Sequence, residues 1–380
     1  MGYPSFPVGF AQVQRQLLLA KAVAMAGFGV TVLCRYGIHK QGDGVSPKGI
    51  FEDINYVYCS GTSLKPDGYV RRNLLKFKGL FHEVKYIARI SKTRQLAGLL
   101  ISTNSFHNIL IYFFTAKIIG IPITIDNVEY WTSIKVFKGW IRIEKYLYDK
   151  FYFFFADNII CISDYLVTKV GISKKDKVFK IPAITDFDKF INHRNRPRKI
   201  IRQKYFLYCG SDFYSEVINF IIASFEKVNY NDIILVLVTK STEKLINRIK
   251  SSKKNHLIKV LTNLPYQDLV NLYLNCEALI LPMRNTIQDK ARFPHKISEY
   301  CASKRPIITN NVGEIRNYFN NANAYLCTDY DEQEYANAML KIISDPEKAT
   351  GIGWNGYETG IVHFNYKSYS TLLGNLFDKK

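Results

Sequence analysis

The chain has 380 residues, of which 47% are hydrophobic and 14% aromatic, and it carries a formal net charge of +20. A chain of this length and composition can bury two ordinary hydrophobic cores, which excludes a disordered protein and favours two domains. Its seven cysteines are scattered without a CxxC pair, and its seven histidines form no clustered ligand pattern. These patterns argue against a disulfide framework and against a zinc site.

The first half of the chain alternates between helices and apolar strands. After an opening loop at residues 3–10, strands are predicted at residues 30–34, 99–103, 121–125, 158–163 and 178–181, and helices at residues 11–26, 107–119 and 141–155. This alternation indicates a parallel sheet that is covered by helices on both faces. Because no strand precedes the opening loop, we expect either one short strand upstream of Met1 or a sheet that lacks one member.

The second half alternates in the same way and therefore predicts a second α/β domain. A polar stretch at residues 186–204 is interpreted as the linker between the two domains. Strands are predicted at residues 206–209, 233–239, 258–261, 278–281 and 306–309, and helices at residues 215–228, 244–251, 266–276, 294–303, 331–344 and 366–377.

The positive charge is concentrated in the first half of the chain. Residues 1–200 contain 30 Lys and Arg against 14 Asp and Glu, whereas residues 201–380 contain 22 against 18. Basic residues are densest between Lys65 and Arg94, where apolar residues recur among them at helical spacing. Two interpretations remain open: a helix that lies on an anionic membrane surface, or a solvated basic helix beside a substrate site. No nucleic-acid-binding motif accompanies the charge, so nucleic acid is not expected as a partner.

Neither a signal peptide nor a membrane span is predicted from the sequence. Residues 1–25 lack a basic start followed by an uninterrupted apolar core. The most apolar stretch, residues 107–125, is interrupted by Asn108, Lys117 and Pro122, and a helix followed by a buried strand explains it. We therefore expect a cytoplasmic protein, either in solution or peripheral on the inner face of the membrane.

Residues 291–314, ARFPHKISEYCASKRPIITNNVGE, are the most informative stretch of the chain. They predict a basic loop, a helix that begins near Pro294, a short buried strand and a glycine turn. A helix N-terminus beside Arg292 and Lys296 can bind phosphate oxygens, and Glu299 can accept hydrogen bonds from a ribose diol. An ordinary amphipathic helix with solvated charges is the alternative.

This stretch resembles the donor-binding signature of GT-B glycosyltransferases, in particular the retaining family 4 (group 1) enzymes. Further similar segments are YPSFP at residue 3, ICIS at residue 160, IP at residue 181 and ILP at residue 280, so the resemblance covers nearly the whole chain. It implies an α/β chain with two Rossmann-like domains that face each other across a cleft. Residues 1–190 would bind the acceptor, residues 200–360 the nucleotide-sugar, and a helix at residues 362–380 would pack back on the first domain.

The resemblance and the strand ends together define a candidate donor site, because ligands of open α/β sheets bind beyond the carboxyl ends of the strands. The residues assigned to donor binding in the second domain are Gly210, Ser211, Lys240, Pro282, Ile297, Ser298 and Glu299. Arg292 and Lys296 are assigned the catalytic task of stabilising the leaving diphosphate, as a metal ion does elsewhere. We therefore expect no metal and no other cofactor, the nucleotide-sugar being a substrate.

Two residues of the first domain complete the predicted site. Gly9 lies at the loop-to-helix turn, which implies a position toward the ligand. Glu129 follows the strand at residues 121–125 and resembles an acidic residue that many family members place there, so it is the third predicted catalytic residue. A carboxylate that caps a helix or contacts the linker is the alternative for Glu129.

The chain also departs from the family pattern at two places. Ser211 and residues 214–216 stand where the family commonly has an Arg and a Lys for the diphosphate. The first of the family's two paired glutamates falls at Ala291, with Asp289 two positions out of register. Two functions therefore remain open: sugar transfer to a glycan, expected to be lipid-linked and part of a surface polysaccharide, or a catalytically silent scaffold subunit of a glycan-assembly complex. A nucleotide-sugar epimerase is a lesser alternative.

Overall fold

The computed structural model describes residues 5–9, 11–93, 96–171, 176–195 and 198–378. Parts of the predicted opening loop (residues 3, 4 and 10), of the predicted linker (residues 196 and 197) and Arg94 lie outside the described residues. The chain divides into two compact units. Unit 1 takes its described residues from Met1–Pro182 and Tyr366–Lys380, and unit 2 from Ala183–Asn365.

The strands of the described residues are β1 (Thr31–Cys34), β2 (Lys48–Phe51), β3 (Ile54–Tyr58), β4 (Leu99–Ile101), β5 (Ile123–Asn127), β6 (Asn158–Cys161), β7 (Val178–Lys180), β8 (Lys204–Cys209), β9 (Ile233–Val238), β10 (Ile258–Leu261), β11 (Ala278–Leu281), β12 (Ile307–Asn310) and β13 (Tyr325–Cys327). The α-helices are α1 (Ala11–Met25), α2 (Tyr69–Thr93), α3 (Phe106–Ile119), α4 (Gly139–Phe151), α5 (Asp164–Val170), α6 (Phe187–Arg194), α7 (Ser215–Glu226), α8 (Glu243–Lys250), α9 (Tyr266–Asn275), α10 (Ile287–Ala291), α11 (Lys296–Ala302), α12 (Glu332–Ser344), α13 (Pro346–His363) and α14 (Ser370–Asn375).

The strands described for unit 1 form two sheets. In the first, of order β1-β3-β2, β1 is parallel and β2 antiparallel to β3. The second has the order β4-β5-β6-β7 and is parallel throughout. Helix α1 packs on the first sheet through a buried apolar cluster that includes Phe6, Val13, Leu17, Val32 and Ile54. Helix α14 also packs against α1.

A buried ion pair connects α1 to the strand ends of the second sheet. The Arg15 side chain is 2% exposed, and its Nε and Nη2 donate to the carboxylate of Asp126 at 2.9 to 3.1 Å. Its Nη1 donates to the carbonyl of Pro182 (2.6 Å) and its Nη2 to that of Ile181 (3.0 Å). This guanidinium therefore holds together α1, the carboxyl end of β5 and the segment after β7, all within unit 1.

Within the described residues, unit 2 contains a six-stranded parallel sheet of order β10-β9-β8-β11-β12-β13. The central strands are apolar runs, and every residue of β11 and β12 is buried. Continuous apolar burial is typical of a parallel sheet that is covered on both faces. The predicted α/β class is confirmed.

Helix α13 lies in unit 2 against α11 and is rich in glycine. A Cβ atom on Gly353 would lie 2.5 Å from the carbonyl oxygen of Lys304, and one on Gly360 would lie 2.5 Å from Cβ of Cys301. Both distances are far shorter than a carbon atom tolerates, so the two helices approach as closely as they do because these positions carry no side chain.

The structure corrects two expectations about helices. The stretch predicted as a polar linker contains α6, whose Phe187 and Phe190 are buried, and the Phe190 ring stacks on Tyr273 of α9 in unit 2. Helix α11 begins at Lys296, two residues after the predicted start, with His295 at its N-cap. In the described part of the chain, no helix is both long and apolar enough to cross a membrane.

Candidate functional site

The sheet of unit 2 has a point where its connections reverse direction. Strands β9 and β10 follow β8 on one side of the sheet, whereas β12 and β13 follow β11 on the other, and β8 and β11 are neighbours. In open α/β sheets, the loops that leave two such strands diverge and leave a crevice at the carboxyl ends. The loops that begin at Gly210, after β8, and at Pro282, after β11, therefore define the expected ligand position.

Gly210 lies close to two neighbours at this edge. Its N–H donates to the carbonyl of Val238 at 3.1 Å, which ties the loop to β9. A Cβ atom at Gly210 would lie 2.2 Å from the phenol oxygen of Tyr208, so a larger residue would have to displace that ring. Gly210 therefore adds no side chain at the end of β8, where the Tyr208 ring occupies the space that a Cβ atom would need.

Helix α11 presents an ion pair near the same strand end. Lys296 Nζ lies 3.1 Å from Glu299 Oε2, and the Glu299 carboxylate also accepts hydrogen bonds at 3.3 Å from the phenols of Tyr266 and Tyr273. Burial acts to lower the pKa of Lys296, but Cys209 and Glu299 beside it raise that pKa above its ordinary value. The ammonium group is therefore charged at neutral pH, and the Lys296 side chain is partly exposed.

Arg292 belongs to a second charged cluster, which centres on Asp289. The Asp289 side chain has no exposed surface, and its Oδ1 lies 2.7 Å from Arg292 Nη2. Arg284, on the loop after β11, donates to the same carboxylate from Nε and from its backbone N–H, both at 2.9 Å. The hydrogen bond to Asp289 is the largest cause that raises the pKa of Arg284. The Asp289 carboxylate thus holds both guanidinium groups in place.

The other predicted donor-site residues of unit 2 differ in accessibility. Ser211 is exposed, and its Oγ accepts a hydrogen bond from the N–H of Phe213 at 3.2 Å. Lys240 is exposed just after β9. Pro282, Ile297 and Ser298 are buried, and Ser298 Oγ donates to the carbonyl of His295, so the last two side chains pack inside unit 2.

The two predicted residues of unit 1 come from different elements. Gly9 precedes α1, where a Cβ atom would lie 2.6 Å from Cγ2 of Val13. Glu129 is half-buried, two residues after β5. Asp126, on the same strand, is the partner of Arg15.

A polar cluster follows β4 in unit 1 and includes a residue that the sequence did not single out. Glu144 of α4 lies 2.8 Å from His107 Nδ1 and accepts a hydrogen bond from Ser105 Oγ at 2.7 Å. Burial acts to raise the pKa of Glu144, but the His107 and Ser105 hydrogen bonds, together with the positive charge of Lys145, outweigh it and lower that pKa to about 2. Its carboxylate is therefore ionised at neutral pH.

Arg284 and the buried state of Asp289 were also missed by the sequence reading. Arg284 lies only three residues beyond the predicted strand at residues 278–281, and a basic residue so close to a strand end is the signal that could have indicated it. Among the described residues, no group of three or more His, Cys, Asp and Glu side chains could hold a metal ion.

Comparisons with known proteins agree with the fold. The family model described as "Glycosyl transferases group 1" matches residues 190–359. The capsular polysaccharide biosynthesis glycosyltransferase CapM of Staphylococcus aureus is 26% identical over 301 residues, which cover 75% of this chain and 74% of CapM.

Two solved structures show the likeness of the fold. Sucrose-phosphate synthase of Thermosynechococcus elongatus matches with a TM-score of 0.72 and 17% identity, over 97% of this chain and 93% of its own. HepE of Anabaena, in complex with UDP-glucose, matches with a TM-score of 0.61 and 14% identity, over 82% of this chain and 89% of its own. The resemblance seen in the sequence is confirmed: residues 190–359 match the group 1 glycosyltransferase model, and the chain has the fold of the GT-B glycosyltransferases.

Proposed function

We propose that this protein transfers a sugar from a nucleotide-diphosphate-sugar to a glycan acceptor during the synthesis of a surface polysaccharide. The observation that carries the proposal is the Lys296–Glu299 pair beside the strand ends at the switch point of unit 2. There, a fixed cation and a carboxylate with phenol partners can receive a diphosphate and a ribose diol. The name of CapM, which refers to capsular polysaccharide biosynthesis, and the UDP-glucose complex of HepE support the choice of product and donor.

The proposed mechanism divides the work between the two units. Unit 2 binds the donor, and Arg292 and Lys296 stabilise the negative charge that develops on the leaving diphosphate. Unit 1 binds the acceptor, with Glu129 as its proposed acidic group. Retention requires that the acceptor hydroxyl attacks the sugar face that the diphosphate leaves, so positioning supplies most of the catalysis. With two fixed cations at the phosphates, no metal ion is required in this mechanism.

The donor site can be tested by ligand-observed NMR with a panel of UDP-, GDP- and dTDP-sugars. We expect one nucleotide class to bind selectively. Glu299→Gln should weaken that binding about tenfold, because the side chain that accepts hydrogen bonds from the ribose hydroxyls loses its charge. Glu347→Gln, on the exposed first turn of α13, is the matched control and should bind as the wild type does.

A catalytically silent scaffold subunit is the second candidate, and Ala291 is the observation that favours it. This side chain is fully buried, and it occupies the position where the family resemblance implies a glutamate near the sugar. If the folded wild-type protein bound no nucleotide-sugar in the NMR panel, the proposed enzymatic function would be wrong and the scaffold function would remain.

We also propose that α2 attaches the protein to an anionic membrane surface. Large apolar side chains of this helix are exposed to solvent, and exposed basic side chains recur beside them along the helix. The exposed apolar residues include Val70, Leu74, Phe77 and Phe81, and the exposed basic residues are Arg71, Lys78, Lys85, Arg89 and Lys92. An apolar stripe beside a basic flank is the pattern of helices that lie in the membrane interface.

The opposite side of α2 fixes this orientation. Glu83 is 1% exposed and bonds to Arg35 at 2.9 Å and to Tyr112 at 3.1 Å. A Cβ atom at Gly79 would lie 2.0 Å from the carbonyl oxygen of Arg35, so the helix packs closely here. Because the polar Glu83 faces inward, the apolar stripe has to face outward.

Replacing both Phe77 and Phe81 by serine should weaken binding to phosphatidylglycerol-containing vesicles at least about tenfold, since burying each ring contributes about 1.5–3 kcal/mol. Cosedimentation with vesicles measures this. Val362→Ser, at an exposed apolar position of unit 2, should change nothing. Equal binding of wild type and double variant, or equal binding to neutral and anionic vesicles, would contradict the proposed attachment.

A further inference from the structure

Arg284 and Glu216 meet across the switch point of unit 2. Arg284 is on the loop after β11, and Glu216 is in the first turn of α7, which follows β8. Arg284 Nη1 lies 3.2 Å from Glu216 Oε2, and the Glu216 side chain is 83% exposed. The two residues that interact here thus come from the two connections, after β8 and after β11, that border the expected ligand position.

Asp289 holds two guanidinium groups at this place with a single negative charge. It accepts hydrogen bonds from Arg284 and forms an ion pair with Arg292, and it has no exposed surface. The Arg292 guanidinium also lies 4.6 Å from the ring centroid of Tyr214, on the loop after β8. One buried carboxylate cannot neutralise two arginines, so the cluster retains a positive charge. The exposed Glu216 balances this charge through its ion pair with Arg284.

We propose that Arg284 binds a phosphate of the donor, that Glu216 occupies Arg284 while no nucleotide is bound, and that Asp289 is the positioning residue for both arginines. The inference rests on the proposed function, in which unit 2 binds a nucleotide-sugar. A guanidinium recognises carboxylate and phosphate oxygens with the same geometry, so the Glu216 carboxylate stands where a phosphate would bind. The ion pair of an exposed carboxylate is weak, and a diphosphate, with more charge, displaces it.

Isothermal titration calorimetry of the full chain with UDP, GDP and dTDP tests the roles of Arg284 and Glu216. For the nucleotide that the wild type binds, Arg284→Gln should weaken the diphosphate about tenfold or more and leave the affinity for the nucleoside nearly unchanged. Glu216→Gln should have the opposite effect and raise the affinity for the diphosphate about threefold or more, because the competing carboxylate loses its charge. Arg316→Gln, on an exposed turn of unit 2, is the matched control.

A double-mutant cycle tests the positioning role of Asp289. In an Asp289→Asn background, Arg284→Gln should cost little further diphosphate affinity, because Arg284 is no longer held in place. If the losses of diphosphate affinity from the two substitutions add fully, Asp289 does not position Arg284. A general loss of stability would not produce the expected non-additivity. Arg284→Lys, which keeps the charge, should recover part of the affinity in the presence of Asp289 and guards against a folding defect in Arg284→Gln.

The outcomes separate this inference from the proposed function. If the wild type binds a nucleoside diphosphate and Arg284→Gln binds it equally well, the role of Arg284 is overturned and the donor site stands. Weaker binding by Glu216→Gln overturns the role of Glu216 in the same way. If a folded wild type binds none of the three diphosphates, both the proposed function and the inference fail.

Discussion

Replacing Lys296 by methionine should lower kcat for sugar transfer by about 10²–10³-fold, the usual effect of removing one group that stabilises transition-state charge. Lys296 is held by Glu299 at 3.1 Å, and its pKa lies above the ordinary value, so it is charged when the diphosphate leaves. The KM for the donor should change much less, because the negative charge grows during bond cleavage. Steady-state kinetics with the donor found in the NMR panel measure both constants.

Two further variants make the expected result specific. Lys348→Met, an exposed lysine on α13, should retain full activity. Glu299→Gln should mainly raise the KM, since its proposed partner is the ribose, which does not change during the reaction. The catalytic assignment of Lys296 would be wrong if Lys296→Met kept kcat within about twofold of the wild type while its thermal unfolding was unchanged.

Replacing Arg15 by methionine should lower the free energy of unfolding of unit 1 by about 3–5 kcal/mol, because it leaves the buried carboxylate of Asp126 without its partner. The loss also removes the hydrogen bonds to the carbonyls of Ile181 and Pro182. Urea denaturation followed by circular dichroism measures the change. Arg142→Met, at an exposed position of α4, should remain within about 0.5 kcal/mol of the wild type.

Neutralising the carboxylate as well should recover part of this loss. In Arg15→Met with Asp126→Asn no buried charge remains, so the double variant should be more stable than Arg15→Met alone by about 1–2 kcal/mol. Recovery should be incomplete, since the two carbonyls stay without their donor. A double variant that is less stable than Arg15→Met would show that the ion pair is not what holds these elements together.

The sequence predicted most strands and helices because apolar periodicity reports burial directly. Strands β10 and β11 have the predicted bounds, and α7, α9 and α12 differ from them by one or two residues. Helix α13 was missed because its glycines lower helix propensity, and because three of its five buried residues (Ala349, Ile352, Gly353, Gly356 and Gly360) are glycines, which leaves a weak apolar stripe. Helix α6 was read as a linker because its few apolar residues, Phe187, Phe190 and Ile191, lie within a polar stretch. The burial of Phe190 involves the Tyr273 ring of α9, a tertiary contact that the local sequence does not show.

The candidate site was only partly accessible to the same reasoning. Lys296, Glu299 and Arg292 could be proposed because they lie within one short signature. The contact between Arg284 and Glu216 joins residues 68 positions apart, and no local pattern encodes it. Asp289 appeared out of register with a family glutamate, whereas its burial between two arginines is a tertiary feature that a sequence pattern does not report.

The close contact between α13 and α11 limits which sequence changes the protein can tolerate. Gly360 packs on Cys301, two residues after Glu299 on the same helix, and Gly353 packs on the backbone that follows this helix. A methyl group at either position would push α11, and with it Lys296 and Glu299, away from the strand ends. Tolerance to substitution therefore does not rise steadily with distance from the ligand. Natural variants of these two glycines would behave as loss-of-function alleles, although neither residue lies among the charged groups of the site.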